Sequence, residues 1–206
     1  MTLIPLPREQ FLLKYRELRG QKPAWYVKYL LRAFTDRVEI FVNNDGIFLN
    51  KRDYETFLKQ LKVSSIKTKA SILCFCLMTN HFHILVGQKE PRAIEKLMRS
   101  LITKYVLYFN YKYSRVGRLF QSTYRARLIG SEEDLLNTSA YVHNNPRKDN
   151  PRINLENYRY SSFSEYMNKN VNTWLSVEPI KMHFLVENYK SYVDRMVNFE
   201  DDLRLS

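Results

Sequence analysis

Cysteine is nearly absent: the 206-residue chain has two, Cys74 and Cys76. One residue apart in an apolar run, they would share one strand face, too close together to staple a fold. Reduced core thiols are therefore expected. A closed zinc site normally draws on four ligands, and no other cysteines exist to complete one. Long apolar runs are missing as well. No stretch approaches the roughly 18 residues that span a bilayer, so no membrane partner is expected. The opening MTLIPLPREQFLLKYREL lacks the apolar segment and small-residue cleavage site of a signal peptide. Cytoplasmic residence follows as the expectation, with attachment to the nucleoid if DNA is bound. Repeats, low-complexity tracts and long linkers are also missing, which leaves one main domain as the simplest partition.

Acidic residues are comparatively few, 21 against 33 Lys and Arg. The resulting formal charge of +12, with a pI near 9.6, implies attraction to a polyanion, nucleic acid first. Fifteen tyrosines and 12 phenylalanines supply rings on which unpaired bases can stack. Charge and aromatics say nothing about chemistry.

Element signals run along the whole chain. Ala24–Arg32 (AWYVKYLLR) is aromatic and β-branched enough for a strand. Asp45-Gly46, between VEIFVN and IFLN, is a hairpin signal. Lys51–Leu61 reads as a helix, with Tyr54, Phe57, Leu58 and Leu61 at spacings of three and four. Ser71–Met78 (SILCFCLM) suits a central strand buried on both faces. Thr79-Asn80 breaks it, and His81–Val86 (HFHILV) resumes as the second arm of a hairpin.

Pro91 opens a long helix to about Tyr111, with a solvated basic stripe of Arg92, Lys96, Arg99 and Thr103. A turn at Gly117 leads into a basic strand, LFQSTYRARLI. Ser131 and Asp134 resemble a capping box, and Pro146 is expected to stop the helix that they start. A last helical stretch runs from about Val177 to Phe199. Without regular βαβ alternation, this order indicates an α+β fold with an antiparallel sheet.

Only four histidines occur, and His81 and His83 lie two apart on a predicted strand. Period-two geometry turns both imidazoles to one face, about 7 Å apart along the chain, where they can share a divalent ion. Two structural histidines would fit that spacing equally well. On the Ser131–Asn145 helix, Leu135, Leu136, Ser139, Ala140 and Val142 make an apolar side. Asp134, Asn137, Thr138, Tyr141 and Asn145 make a polar one. His143 turns away from Tyr141. Periodicity does not choose one nucleophile among fifteen tyrosines.

Several motifs together carry a resemblance. MTNHFHILV (78–86) resembles the His-hydrophobic-His motif of HUH single-tyrosine transposases. SAYVHNNP (139–146) is similar to the tyrosine helix of their REP-associated branch, which is related to the small insertion-sequence transposases. GRLFQSTYRARLI resembles that branch's basic strand, and YRYSSFSEY (158–166) its Tyr-Arg-x-Ser-Ser-x-x-x-Tyr signature. IFLNKRDYETFLKQL fits the helix that precedes the His strand. The resemblance spans roughly residues 24 to 195. The segment before Ile47-Phe48 looks longer than is usual for the family, and the N-terminal arm is extended.

The resemblance implies a ferredoxin-like antiparallel sheet with helices packed on one face. It also implies a catalytic domain over residues 1–166 and a C-terminal helical extension over 167–206. His81 and His83 would bind Mg²⁺ or Mn²⁺, with Asn145 as an amide-type third ligand. Tyr141 would attack a DNA phosphate to give a 5′-phosphotyrosine and a free 3′-hydroxyl. The substrate would be single-stranded DNA, commonly a hairpin, and the enzyme a monomer or homodimer. A phenol with a pKa of about 10 is a poor nucleophile at neutral pH, so a cation on the phosphate is chemically apt. Arg92, Lys96, Arg99, Arg118, Arg125 and Arg127 are candidate DNA contacts as a group. The alternatives are a domesticated protein that recognises DNA hairpins without transposing, and an RNA-binding protein. The intact HFH pair and the Tyr141–Asn145 spacing favour the enzyme.

Overall fold

Strand β1 (Arg37–Phe41), helix α1 (Lys51–Thr68), strands β2 (Ala70–Leu77) and β3 (His81–Gln88), helix α2 (Ala93–Lys112) and strand β4 (Arg125–Arg127) follow one another as β-α-β-β-α-β. The computed structural model describes residues 37–41, 46–88, 90–120, 124–167, 174–184 and 186–196. The sheet order is β2-β3-β1-β4, and each neighbouring pair is antiparallel. This is the ferredoxin-like arrangement. The α+β class and antiparallel sheet expected from the sequence are those observed.

Two local expectations resolve differently, and the strand expected at Ala24–Arg32 lies outside the described residues. No hairpin joins β1 to Ile47–Leu49, because both edges of β1 are taken by β3 and β4. Ile47 and Phe48 instead donate their N–H groups to the Thr79 carbonyl (2.9 and 3.2 Å) and bury in the core. Gly46 fits the close approach, since a Cβ there would meet that carbonyl oxygen at 3.1 Å. The basic strand is short, Arg125–Arg127.

Strand alternation decides which helix covers which face. Phe82 packs its ring 4.7 Å from Phe57 of α1. The two crossover helices thus share one face, and α1 runs on to Thr68, beyond the apolar pattern that ends at Leu61. His83, one residue on, faces the other way. There it meets helix α3 (Glu132–Asp149), which covers the opposite face of the sheet.

The Ser131 hydroxyl caps α3 by accepting from the Asp134 N–H (3.1 Å). Pro146 does not stop this helix. It removes one N–H donor near the C-terminus, the backbone turns on through Asp149, and the Asn150 N–H closes onto the Pro146 carbonyl at 3.1 Å. Lys148 and Asp149 are thereby carried onto the helix.

Although β2 is the last strand in the order, its burial is that of a central one, for two reasons. Helices cover both faces, and later chain pairs with its outer edge. The Leu77 N–H donates to the Tyr160 carbonyl (2.8 Å), the Ser162 N–H to that of Phe75 (3.0 Å), and the Ser176 N–H to that of Ile72 (2.8 Å). Unpaired strand groups are covered rather than exposed. Helix α4 (Phe163–Met167), helix α5 (Glu178–Lys181) and helix α6 (Val186–Arg195) complete the fold. The final helical stretch is thus broken at Met182–Phe184, and residues 197–199 lie outside the described chain. No helix among the described residues is long and apolar enough to cross a membrane.

At the start of α1, fully buried Asp53 is ringed by donors: Lys112 Nζ (2.6 Å), Tyr113 Oη (2.7 Å), Tyr108 Oη (2.9 Å) and the Leu49 N–H (2.9 Å). Burial pushes its carboxyl up, but these donors outweigh burial and hold it below the usual carboxylate value. Because the folded value is depressed, the stabilisation is complete above about pH 4. It is lost as pH falls through the folded value. Removing one partner of a buried pair typically costs about 3–5 kcal/mol. Asp53→Ala is expected to lower unfolding stability by about 3 kcal/mol at pH 7. In urea titrations, the gap to wild type should narrow toward pH 3.

Candidate active site

Four side chains expected to form a site converge between β3 and α3. His83 is 2% exposed, and its ring lies 5.4 Å from that of Tyr141, edge to face. The His81 ring is 4.9 Å from that of His83, again near perpendicular. Asn145 lies one helical turn beyond Tyr141 and is fully buried. Its Nδ2 donates to the Tyr141 carbonyl (2.8 Å), while Oδ1 is buried without a well-formed hydrogen bond. The Asn145 carboxamide also interacts with His81, where it favours the charged ring.

Protonation suits ligand duty. Burial first, then the neighbouring His83 and Lys148, push His81 down to about 4, against the opposing pull of Asp149 and Asn145. At neutral pH the ring is therefore uncharged. His81 Nδ1 lies 2.7 Å from the Asn80 side-chain oxygen, which can only accept, so the proton sits on Nδ1 and Nε2 keeps its lone pair. Among the described residues, no three His, Cys, Asp or Glu side chains cluster. A cation here would need the amide oxygen beside the two imidazoles.

His143 faces away from this site, as its position on the helix implies. It is buried between Tyr189 Oη (2.7 Å from Nδ1) and Ser162 Oγ (2.8 Å from Nε2), and burial pushes it down to about 3. Ser162 in turn accepts from the Phe75 N–H of β2 (2.9 Å). The YRYSSFSEY segment is thus a clamp holding α3 and α6 to the strand beside the histidines. It contributes no group to the site itself.

The basic candidates separate into two groups and one lone residue, Arg118. Arg92, Lys96 and Arg99 lie at the start of α2, on the face opposite α3. The Ile94 N–H there bonds the Gln88 side chain at the far end of β3, some seven residues or about 23 Å from His81. Arg92 and Arg99 are also held by Glu95 (2.8 and 3.5 Å). Arg118 is exposed in the turn after α2. Arg125 and Arg127 are nearer, since Arg125 pairs with Glu39, which pairs with His83. That sets the Arg125 backbone two strand spacings, about 10 Å, from His83.

Lys148 and Asp149 are not evident from the sequence, because Pro146 there reads as a helix stop. Lys148 Nζ lies 3.1 Å from Tyr141 Oη. Seven residues make nearly two whole turns, a spacing that could have flagged it.

This geometry agrees with what the chain matches. Residues 35–145, more than half of it, match the family described as "Transposase IS200 like". The chain belongs to the IS200-like transposase family. A solved structure of a REP-associated tyrosine transposase bound to a REP hairpin has the same fold, with a TM-score of 0.57 at 14% identity. The similarity covers 68% of this transposase-family chain and 83% of that one. No curated protein matches it. The family match includes the histidine strand and ends on Asn145, so Lys148 and helices α4–α6 lie beyond it.

For this IS200-like protein, the two basic groups should behave differently toward an oligonucleotide. Arg125→Gln and Arg127→Gln together should weaken binding and lower the salt slope by about 1 per lost phosphate contact. The triple change Arg92→Gln, Lys96→Gln, Arg99→Gln should leave affinity within about threefold at 150 mM salt, because these residues lie away from the site. Fluorescence anisotropy over a salt series measures both.

Proposed function

We propose that this protein is a metal-dependent DNA transposase that cleaves and rejoins single-stranded, hairpin-forming DNA through a 5′-phosphotyrosine at Tyr141. The observation that carries the reading is the contact of the Tyr141 and His83 rings at 5.4 Å, with His81 and Asn145 beside them. Among the described residues, Tyr141 is the tyrosine held against His83 by a capped helix.

The donor set fits a divalent cation: a neutral imidazole with a defined lone pair, a second imidazole, and a buried amide oxygen without a good hydrogen bond. Mg²⁺ or Mn²⁺ held by His81, His83 and Asn145 would neutralise the scissile phosphate and polarise it toward attack. The protein's own groups do the rest. The α3 backbone fixes the phenol beside the ligands, which confers orientation before substrate arrives. Covalent attachment to Tyr141 conserves the phosphodiester bond energy for rejoining.

The contact of Tyr141 with His83 lies within one copy, and the protein works as a monomer or homodimer. A hairpin substrate is supported by the relative solved with a REP hairpin and by the +12 charge. Such a substrate would have the protein working in the cytoplasm, at the nucleoid.

Hairpin single-stranded DNA with Mg²⁺ or Mn²⁺ should yield a denaturant-stable protein–DNA adduct with wild type and none with Tyr141→Phe. An undiminished adduct in that variant would exclude Tyr141 as the nucleophile. His81→Ala and His83→Ala should each slow cleavage by about 100-fold or more, the scale of charge stabilisation at a phosphate, while DNA binding is largely kept. Normal cutting by both would remove the metal-ligand assignment.

A further inference from the structure

Beyond the last residue of the family match, one more side chain reaches the tyrosine. We propose that Lys148 is a catalytic residue: its ammonium stabilises the negative charge on the Tyr141 oxygen as that oxygen enters and leaves the phosphorus. The proposal rests on Tyr141 being the nucleophile.

The contact is double. Lys148 Nζ lies 3.1 Å from Tyr141 Oη and 4.2 Å from the centre of its ring. An ammonium has three donors and no acceptor, so it is Oη that accepts. The lysine stands seven residues after the tyrosine, so both project from one face of α3. A lysine in the last turn of a helix ordinarily interacts with the terminal carbonyls or with water. Here the chain runs back across two turns to the phenol, and it does so because α3 continues past Pro146. Lys148 is itself exposed, so its position contributes little to the core. Its charge is felt at His81 as well, where it favours the neutral ring. One cation thus borders both the candidate nucleophile and a candidate ligand.

In cleavage, the Oη–P bond forms while the P–O3′ bond breaks, and its electron pair leaves on the 3′ oxygen. The phenolic proton passes to solvent, and the 3′ oxygen takes a proton from solvent, so none is gained or lost overall. In rejoining, a 3′-hydroxyl oxygen attacks the phosphorus and releases its proton. The P–Oη pair returns to Tyr141, which is reprotonated. Lys148 remains an ammonium in both directions, a fixed donor aimed where charge develops. Its value is greatest when the phenolate is the leaving group.

The test uses the full chain with a hairpin oligonucleotide, following adduct formation and rejoining at pH 7 with DNA affinity measured in parallel. Lys148→Met should slow adduct formation by about 100-fold at pH 7, while affinity changes by less than about threefold. Lys148→Arg, which keeps the cation, should recover most of the rate. A Lys148→Met rate within threefold of wild type would overturn the proposal. So would a rate loss fully matched by lost affinity, which would make Lys148 a phosphate contact. Failure of the parent reading has a separate signature: wild type gives no adduct, or Tyr141→Phe still gives one, and the Lys148 proposal then falls with it.

Discussion

The seating of α3 on the His83 face of the sheet is the contact on which everything else depends. Leu135, Leu136, Ser139, Ala140 and Val142 are buried beneath this helix, and the small Ser139 and Ala140 let it approach closely. If α3 moved by one turn, Tyr141 would leave His83, Asn145 would leave His81, and Lys148 would no longer lie on the site. The helix is fixed at one end by the Ser131 cap and along its back by His143, which bridges Tyr189 of α6 and Ser162 beside β2. Ser162 bonds the backbone of Phe75, next to Cys76, and Cys76 pairs with His83. A continuous chain of buried hydrogen bonds and strand pairing therefore runs from the C-terminal helix to the histidines. Half-satisfied, such a network would be costly; satisfied, it specifies one position for the helix.

Electrostatics divide the molecule in a way that net charge conceals. The charge of +12 gives a general pull on polyanions, yet the α2 stripe is tied to Glu95 and lies away from the site. On the other face, His81 is kept neutral by burial and by its neighbours, including the Lys148 cation. A site that keeps the His81 imidazole uncharged beside the Lys148 ammonium is suited to receive a phosphate, because that ligand stays available while the local field still favours an anion. On the opposite face, Asp53 gathers five donors to lock α1 against the end of α2.

Much of this was legible in the sequence, where local rules govern. The two-residue period of HFH fixed the shared face of His81 and His83. The apolar SILCFCLM run marked a strand buried on both sides, and Ser131 with Asp134 marked the start of α3. The rest depended on tertiary context. Asp45-Gly46 looked like a hairpin, but a β-α-β-β-α-β sheet occupies both edges of β1. Pro146 looked like a helix stop, but a missing N–H near the end of a well-packed helix removes only one bond. SILCFCLM reads as central although it is last in the strand order, because hydrogen bonds from Tyr160, Ser162 and Ser176 cover its edge. Spacing could nominate Tyr141, and family resemblance could choose it. Its contact with His83 emerges only once α3 crosses the sheet.

The proposed mechanism puts the DNA on one tyrosine, Tyr141. Trypsin cuts after Arg127 and Arg147, which isolates residues 128–147, a peptide whose single tyrosine is Tyr141. After reaction with hairpin DNA, nuclease trimming and digestion, mass spectrometry should find a 5′-phosphonucleotide on this peptide and the unmodified form depleted in step. The same modification on any other tyrosine-bearing peptide, with residues 128–147 left unmodified, would contradict it.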